Sequence, residues 1–158
     1  MKLIVKQKIL AFGKQYRAFD ETGNQVLDVT SMLYSPERRK EVLDMQGNLL
    51  AWSEWPVFSG VAELVCGGMR CNMDVPFVSL TPEWTMTADN GERYTLTGDM
   101  FRLSFTVSGS RGVAASIDKR LLAFSDTYEV ETVDAQFPIA LALLLAAIID
   151  HKYHSDNN

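Results

Sequence analysis

The sequence predicts a mainly β chain: a closed antiparallel β-barrel wrapped around a central hydrophobic C-terminal α-helix. Three observations carry this reading. Residues 138–149, "PIALALLLAAII", hold no polar side chain. Upstream of Phe137 the apolar residues recur with period two. Glycine-rich turn signals separate those alternating runs along most of the chain.

The first strand is read in "MKLIVKQKI". Lys2, Ile4, Lys6 and Lys8 fall on one face, and Leu3, Val5 and Ile9 on the other, because side chains alternate along a strand. Hairpin turns follow at Gly23-Asn24 and Gly47-Asn48, each inside a D-x-x-G-N sequence, then at Asn90-Gly91 and at Gly109 with Gly112. Residues 75–86, "VPFVSLTPEWTM", are less regular, and Pro56, Pro76 and Pro82 favour edges, bulges or loops. "RYTLT" (93–97) alternates Tyr94 and Leu96 with polar residues. "RLSFTVS" (102–108) does so with Leu103, Phe105 and Val107, and "TYEVETV" (127–133) with Tyr128 and Val130. There is also an internal repeat: "KILAFGKQY" (8–16) matches "RLLAFSDTY" (120–128), placing Leu10, Ala11, Phe12 and Tyr16 opposite Leu122, Ala123, Phe124 and Tyr128. It reads as a duplicated hairpin unit.

The closing helix is expected over about residues 137–152. Pro138 suits its first turn. Twelve helical residues reach only ~18 Å, short of the ~30 Å of hydrocarbon a membrane helix crosses. Asp134 and Asp150 flank the run. A helix apolar on every side is buried on every side, and a sheet with one apolar face must cover it. Rolling the sheet into a barrel satisfies both and removes open edges. One domain is expected over residues 1–154, with 155–158 a frayed tail.

The 158 residues are 47% hydrophobic and 22% charged, with a net charge of -5. That balance argues against a nucleic-acid partner, which calls for a basic face. Lys6, Lys8 and Lys14 interrupt the apolar N-terminus, so no signal peptide is read. Cys66 and Cys71 make no disulfide framework. A reducing, cytoplasmic setting is expected, with peripheral placement at the membrane if the basic N-terminus is a binding face.

Two stretches bring a known family into view. "GDMFRLSFTVSGSRGVAASIDKRLLAFSDTYEVETVDAQFPIALALLLAAIID" (98–150) resembles the C-terminal half of LURP-one-related proteins, and "KLIVKQKILAFGKQYRAFDETGNQVLDV" (2–29) resembles their opening hairpins. The specific marks are K-x-K followed by A-F, the D-x-x-G-N turns, the Y-E-V strand and a closing helix ending in Asp150. The resemblance implies a tubby C-terminal-like fold, a barrel of about twelve strands around a central helix. It also implies a link to phosphoinositide binding at membrane surfaces, through tubby domains, and to phospholipid scramblases. No tubby lipid-binding motif matches positions here, so no ligand residue is carried over.

His151 and His154, at i, i+3, could hold a metal on a continuing helix. A polar helix end near the dipole's negative pole is the simpler reading. Both lie beyond the apolar run, where few backbone contacts are expected, so a chain ending at Asp150 should keep its fold. Cys66-Gly-Gly-Met-Arg-Cys71 lacks the second ligand pair of a zinc site and reads as a hairpin with free thiols. The D-x-x-G-N aspartates read as turn chemistry rather than calcium ligands. Trp52, Trp55 and Trp84 read as barrel core or rim. No catalytic set, metal or cofactor is assigned.

The basic N-terminus is the most usable clue. Residues 1–19 hold Lys2, Lys6, Lys8, Lys14 and Arg17 and no acid, whereas 126–134 hold Asp126, Glu129, Glu131 and Asp134 and no base. If the two segments are neighbours, their charges pair across the sheet. Otherwise the five bases form a surface patch for an anionic partner. The expected function is a non-enzymatic binding or scaffold module, binding anionic phospholipid weakly and peripherally through Lys2, Lys6, Lys8, Lys14 and Arg17. The alternatives are a protein-interaction or dimerisation module, or a small-molecule-binding protein or enzyme using a rim pocket.

Overall fold

Antiparallel neighbours in sequence are neighbours in space throughout this chain. The computed structural model describes residues 1–10, 13–32, 35–77, 82–99, 101–121 and 126–154, apart from the side chains of Ile9, Leu10 and Leu121. The strands are β1 (Lys2–Leu10), β2 (Gly13–Phe19), β3 (Gln25–Ser31), β4 (Lys40–Asp44), β5 (Leu49–Glu54) and β6 (Val61–Cys66). They continue with β7 (Met69–Asp74), β8 (Glu83–Ala88), β9 (Arg93–Gly98), β10 (Ser104–Gly109), β11 (Gly112–Leu121) and β12 (Asp126–Thr132). The helix α1 (Ile139–Tyr153) follows. Each strand pairs with the next, and β1 pairs with β12 to close the barrel. Closure leaves no open edge to template aggregation.

The period-two pattern decides which side chains enter the lumen. Leu3 and Val5, Tyr94 and Leu96, Phe105 and Val107, and Tyr128 and Val130 are all buried. They converge on α1, whose residues Ala140 to Asp150 are buried without a break. No wet face exists because strands surround the helix. At ~1.5–3 kcal/mol per fully buried large apolar side chain, the helix is a condition of the fold. Among the described residues, no helix is long and apolar enough to cross a membrane.

The up-and-down order gives the barrel two unlike ends. At the base, short hairpins join β2 to β3, β4 to β5, β6 to β7, β8 to β9 and β10 to β11. Asp20 Oδ1 accepts from the backbone N–H of Thr22 at 2.9 Å and of Asn24 at 3.0 Å. Asp44 Oδ1 accepts in the same way from Gln46 and Asn48, both at 2.9 Å. The glycine of each motif has positive φ, 89° at Gly23 and 84° at Gly47, a conformation costly for any residue with a Cβ. These aspartates are turn caps. Helix α1 begins near the base, where Phe137 packs edge-on against Tyr94 at 5.1 Å between centroids.

The other end, the mouth, carries the connections 32–39, 55–60, 75–82 and 99–103 and the C-terminus of α1. The C-terminal end of β1, the start of β2, the end of β11 and the start of β12, which carry the described parts of the matching segments 8–16 and 120–128, also lie at this end. Ala11, Phe12, Leu122, Ala123 and Phe124 of the repeat lie outside the described residues, as does the expected tail 155–158.

Candidate functional site

The mouth is built around a buried carboxylate. Asp150, one turn before the end of α1, is 0% exposed. Its Oδ2 accepts from Lys14 Nζ at 2.9 Å and Tyr16 OH at 2.5 Å, and its Oδ1 from Tyr128 OH at 2.6 Å. Burial alone would raise its pKa. The Lys14 charge, then the hydroxyls of Tyr128 and Tyr16, overcome that and hold it below the usual carboxylate range. Burial, then the Asp150 charge, pushes both phenols above the ordinary tyrosine value. Tyr16 and Tyr128 are the matching tyrosines of the internal repeat. The two matching segments thus supply one phenol to each oxygen of one carboxylate. Gln7 adds to the cluster when its amide oxygen faces Lys14 Nζ at 2.7 Å and its nitrogen faces Asp126 at 2.9 Å.

A second buried cation lies beside the first. Strand register aligns Lys14 with Ser31, Ser31 with Lys40, and Lys40 with Ser53 across β2, β3, β4 and β5. All four are buried. Lys40 Nζ donates to the Arg38 carbonyl at 3.3 Å and lies 2.9 Å from His151 Nδ1. Among the described residues, no carboxylate lies within ion-pair distance of it. Burial, then the nearby Arg38 charge, lowers the Lys40 pKa to about 7. Burial, then Lys40, Arg38 and Lys14, lowers that of His151 to about 3, which leaves a neutral imidazole. Ser31 Oγ and Ser53 Oγ, on either side of Lys40, have no hydrogen-bond partner among the described residues.

A basic cluster adjoins Lys40 around Trp55 and His151. The Arg38 guanidinium stacks on Trp55 at 3.7 Å, and donates from Nε to the Trp55 carbonyl at 2.8 Å. Trp55 meets His151 edge-on at 5.7 Å, and Lys152 Nζ lies 5.7 Å from the Trp55 ring. Arg38 is held in the left-handed region at φ 46°, as are Phe58 at 66° and Arg102 at 57°. All three lie in mouth connections.

The C-terminal histidines correct the expectation of a dispensable end. Besides the His151 contact, His154 Nε2 lies 3.0 Å from the Arg102 carbonyl. Tyr153 stacks on both Trp84 and Phe105, at 5.8 and 5.9 Å. The helix runs on past Asp150, so its last turn plugs the mouth. Among the described residues, no three His, Cys, Asp or Glu side chains group as metal ligands. Cys66 and Cys71 are free thiols on the β6–β7 hairpin, and burial raises both pKa values, Cys71 to about 11.

The five bases of the N-terminal segment do not share one face. Lys2, Lys6, Lys8 and Arg17 point outwards. Lys14 does not: it is 3% exposed and bound to Asp150, which removes it from any surface patch. The reason is parity. Positions 14, 16 and 18 of β2 face the core, so Lys14 and Arg17 take opposite faces. Lys2 is paired with Glu129 at 2.5 Å, across the β1–β12 seam. The remaining acids of 126–134 are partly engaged elsewhere, Asp126 by Lys119 and Asp134 by Arg111. Lys6 and Arg17 sit directly opposite one another on β1 and β2. Among the described residues, Lys6, Lys8 and Arg17 make no ion pair.

What sequence reasoning missed is the pair of buried lysines and the hub. Lys40 sat in no recognised motif. Asp150 read as a flank, although the matched tyrosines of the repeat were a signal for a shared acceptor.

The chain is similar to known proteins in sequence and, separately, in fold. The uncharacterized protein YxjI of Bacillus subtilis (strain 168) is 20% identical over 161 residues, covering 100% of this chain and 97% of that protein. The X-ray structure of an Arabidopsis thaliana protein superposes with a TM-score of 0.51 at 11% identity, covering 96% of this chain and 89% of that one. The family model described as LURP-one-related matches residues 1–150, nearly the whole barrel and its helix, and the chain therefore belongs to the LURP-one-related family.

Proposed function

We propose that the chain is a non-enzymatic binding module that associates peripherally with anionic phospholipid surfaces through the outer faces of β1 and β2. One observation carries this reading. Lys6 and Arg17 face each other across the strand pair, both exposed, with Lys8 beside them on β1. Like charges directly opposite destabilise a sheet, and an anionic partner relieves that cost. Asp28, opposite Arg17 on β3, accepts instead from Gln15 and Gln25.

Each base near an anionic bilayer is worth up to ~1 kcal/mol. Three give about 3 kcal/mol, on the order of a hundredfold in affinity. The net charge of -5 opposes this, so binding is weak and depends on orientation. The test is co-sedimentation with phosphatidylserine and phosphatidylcholine vesicles at low and high salt. The wild type should pellet with the anionic vesicles alone, at low salt alone, and Lys6→Glu/Lys8→Glu/Arg17→Glu should stay in solution. Equal behaviour of the two proteins would overturn the reading.

A second reading is self-association through the mouth. It is favoured by three exposed phenylalanines on separate mouth connections: Phe58 at 92%, Phe101 at 71% and Phe77 at 65% exposure. Sedimentation velocity of the wild type and of Phe58→Ser tests it, since a concentration-dependent dimer should be lost in the variant.

A further inference from the structure

We propose that the mouth of the barrel is a binding site for a single oxyanion of the phosphate class, held by Lys40, Ser31 and Ser53 beside Arg38 and Lys152. The site is separate from the outer strip of β1 and β2 and does not depend on it.

The first argument is charge. Lys14 is matched by Asp150, which also takes both phenols, so its single charge is already paired and reaches Lys40 only at longer range. Arg38, Lys40 and Lys152 then converge around Trp55 and His151, and none makes an ion pair among the described residues. The C-terminus of α1 contributes only about half a negative charge. Burial, then the neighbouring Arg38 charge, lowers the pKa of both Lys40 and Lys152. An anion among these groups reverses that repulsion.

The second argument is hydrogen bonding. Strand register puts Ser31 and Ser53 on either side of Lys40, on the same inward face. Paired residues on one face lie ~4.5–5.5 Å apart at Cβ. Their hydroxyls are buried and have no partner among the described residues. A buried unpaired hydroxyl is costly, and two of them flanking an ammonium with no carboxylate supply donors in the arrangement an oxyanion accepts. Lys40 would exchange its long bond to the Arg38 carbonyl for the anion.

The third argument is the Arg38 stack. Arg38, whose carbonyl takes Lys40 Nζ, holds its stack on Trp55 from a left-handed backbone at φ 46°. Strain of this kind persists where surroundings over-determine it and gathers at ligand clamps. Opening the Arg38–Trp55 stack gives an anion its way in from the mouth.

The experiment is calorimetric titration and thermal unfolding at pH 7 with inorganic phosphate, against chloride at equal ionic strength. Phosphate should bind the wild type and raise its unfolding midpoint beyond the chloride effect. Ser31→Ala/Ser53→Ala should fold, be at least as stable without phosphate, and bind it on the order of tenfold more weakly. Lys40→Met should fold and lose the response. Lys6→Glu/Lys8→Glu/Arg17→Glu should keep it, which separates this site from the outer strip. Glycerol phosphate and phosphatidic acid vesicles form the remaining arms. A response to the soluble ester assigns a small molecule, and a response confined to vesicles assigns a lipid headgroup. The proposal is overturned if neither phosphate nor either arm does more than chloride. It is also overturned if the folded mouth variants respond as the wild type does.

Discussion

At the base of the barrel the chain reverses over a few residues, and the two D-x-x-G-N turns are held by groups next to them in sequence. Asp20 and Asp44 cap backbone N–H groups two and four residues on, and positive φ falls on glycine. At the mouth most connections are longer, positive φ falls on Arg38, Phe58 and Arg102, and polar groups find partners far along the chain. Lys14 and Asp150 are separated by 136 positions, and Lys40 and His151 by 111. Local chemistry suffices where only a turn is needed. Strain, buried charge and unpaired hydroxyls accumulate where side chains from β2, β3, β4, β5, β12 and α1 must meet, and that is where a ligand would have something to bind.

The contrast makes the mouth the place where single substitutions do most damage. Asp150→Asn removes the one carboxylate facing Lys14 and leaves a buried, uncompensated cation, which should cost about 3–5 kcal/mol. Urea unfolding at neutral pH measures it. The acid limb has a defined sign. The Asp150 pKa is depressed in the folded state, so its contribution is present above the unfolded value of ~3.9. It is lost as pH falls through the lower folded value. A variant as stable as the wild type would break the distinction between the ends.

Next in size is the loss of the last helical turn. Tyr153→Ala removes the ring stacked on Trp84 and Phe105 and should cost about 2–4 kcal/mol. Truncation after Asp150 should cost at least as much, since it also removes His151 from Lys40. Thermal unfolding of the truncated chain with an unchanged midpoint would restore the reading of a dispensable end.

The same contrast explains what the sequence made legible. The strands of β1, β9, β10 and β12 were readable because burial on one face imposes a period of two. The D-x-x-G-N turns were readable because donor, acceptor and glycine lie within five residues. The closing helix was readable because total burial leaves a run without polar residues. Lys14 was misplaced on the surface because a positive charge outweighed strand parity with Tyr16. The row of Lys14, Ser31, Lys40 and Ser53 could not be read, because it exists only once β2, β3, β4 and β5 are in register. The repeat was visible, but its purpose, two phenols on one carboxylate, needed the barrel to close.

Lys40 gives an effect that changes with pH. Its folded pKa, lowered to about 7, is below its unfolded value of ~10.4. Between these values the unfolded chain binds the extra proton, so stability should rise with pH through this window. Lys40→Met should remove that rise. At neutral pH the variant should equal or exceed the wild type, because an apolar side chain replaces a desolvated charge. Urea midpoints at pH 7 and pH 9.5 for both proteins check it. Identical slopes would mean that the folded and unfolded states hold this amine alike.

The smallest effect belongs to the base. Asp44 Oδ1 accepts from the N–H groups of Gln46 and Asn48, and Oδ2 from Asn48 Nδ2 at 2.9 Å. The Asn48 side chain, then its backbone N–H, lowers the Asp44 pKa. Yet the turn is open to solvent, and water can take over each donor when the carboxylate is removed. Asp44→Ala should therefore move the urea midpoint far less than Asp150→Asn. Asp44→Asn should move it less still, because an amide oxygen caps the same turn. Hydrogen exchange sharpens the point. Protection should fall at Gln46 and Asn48 in Asp44→Ala and hold in the strands β4 and β5, since fraying of a turn is a local opening. Loss of protection spreading to β3 or α1 would show that the base, too, is held by the barrel as a whole.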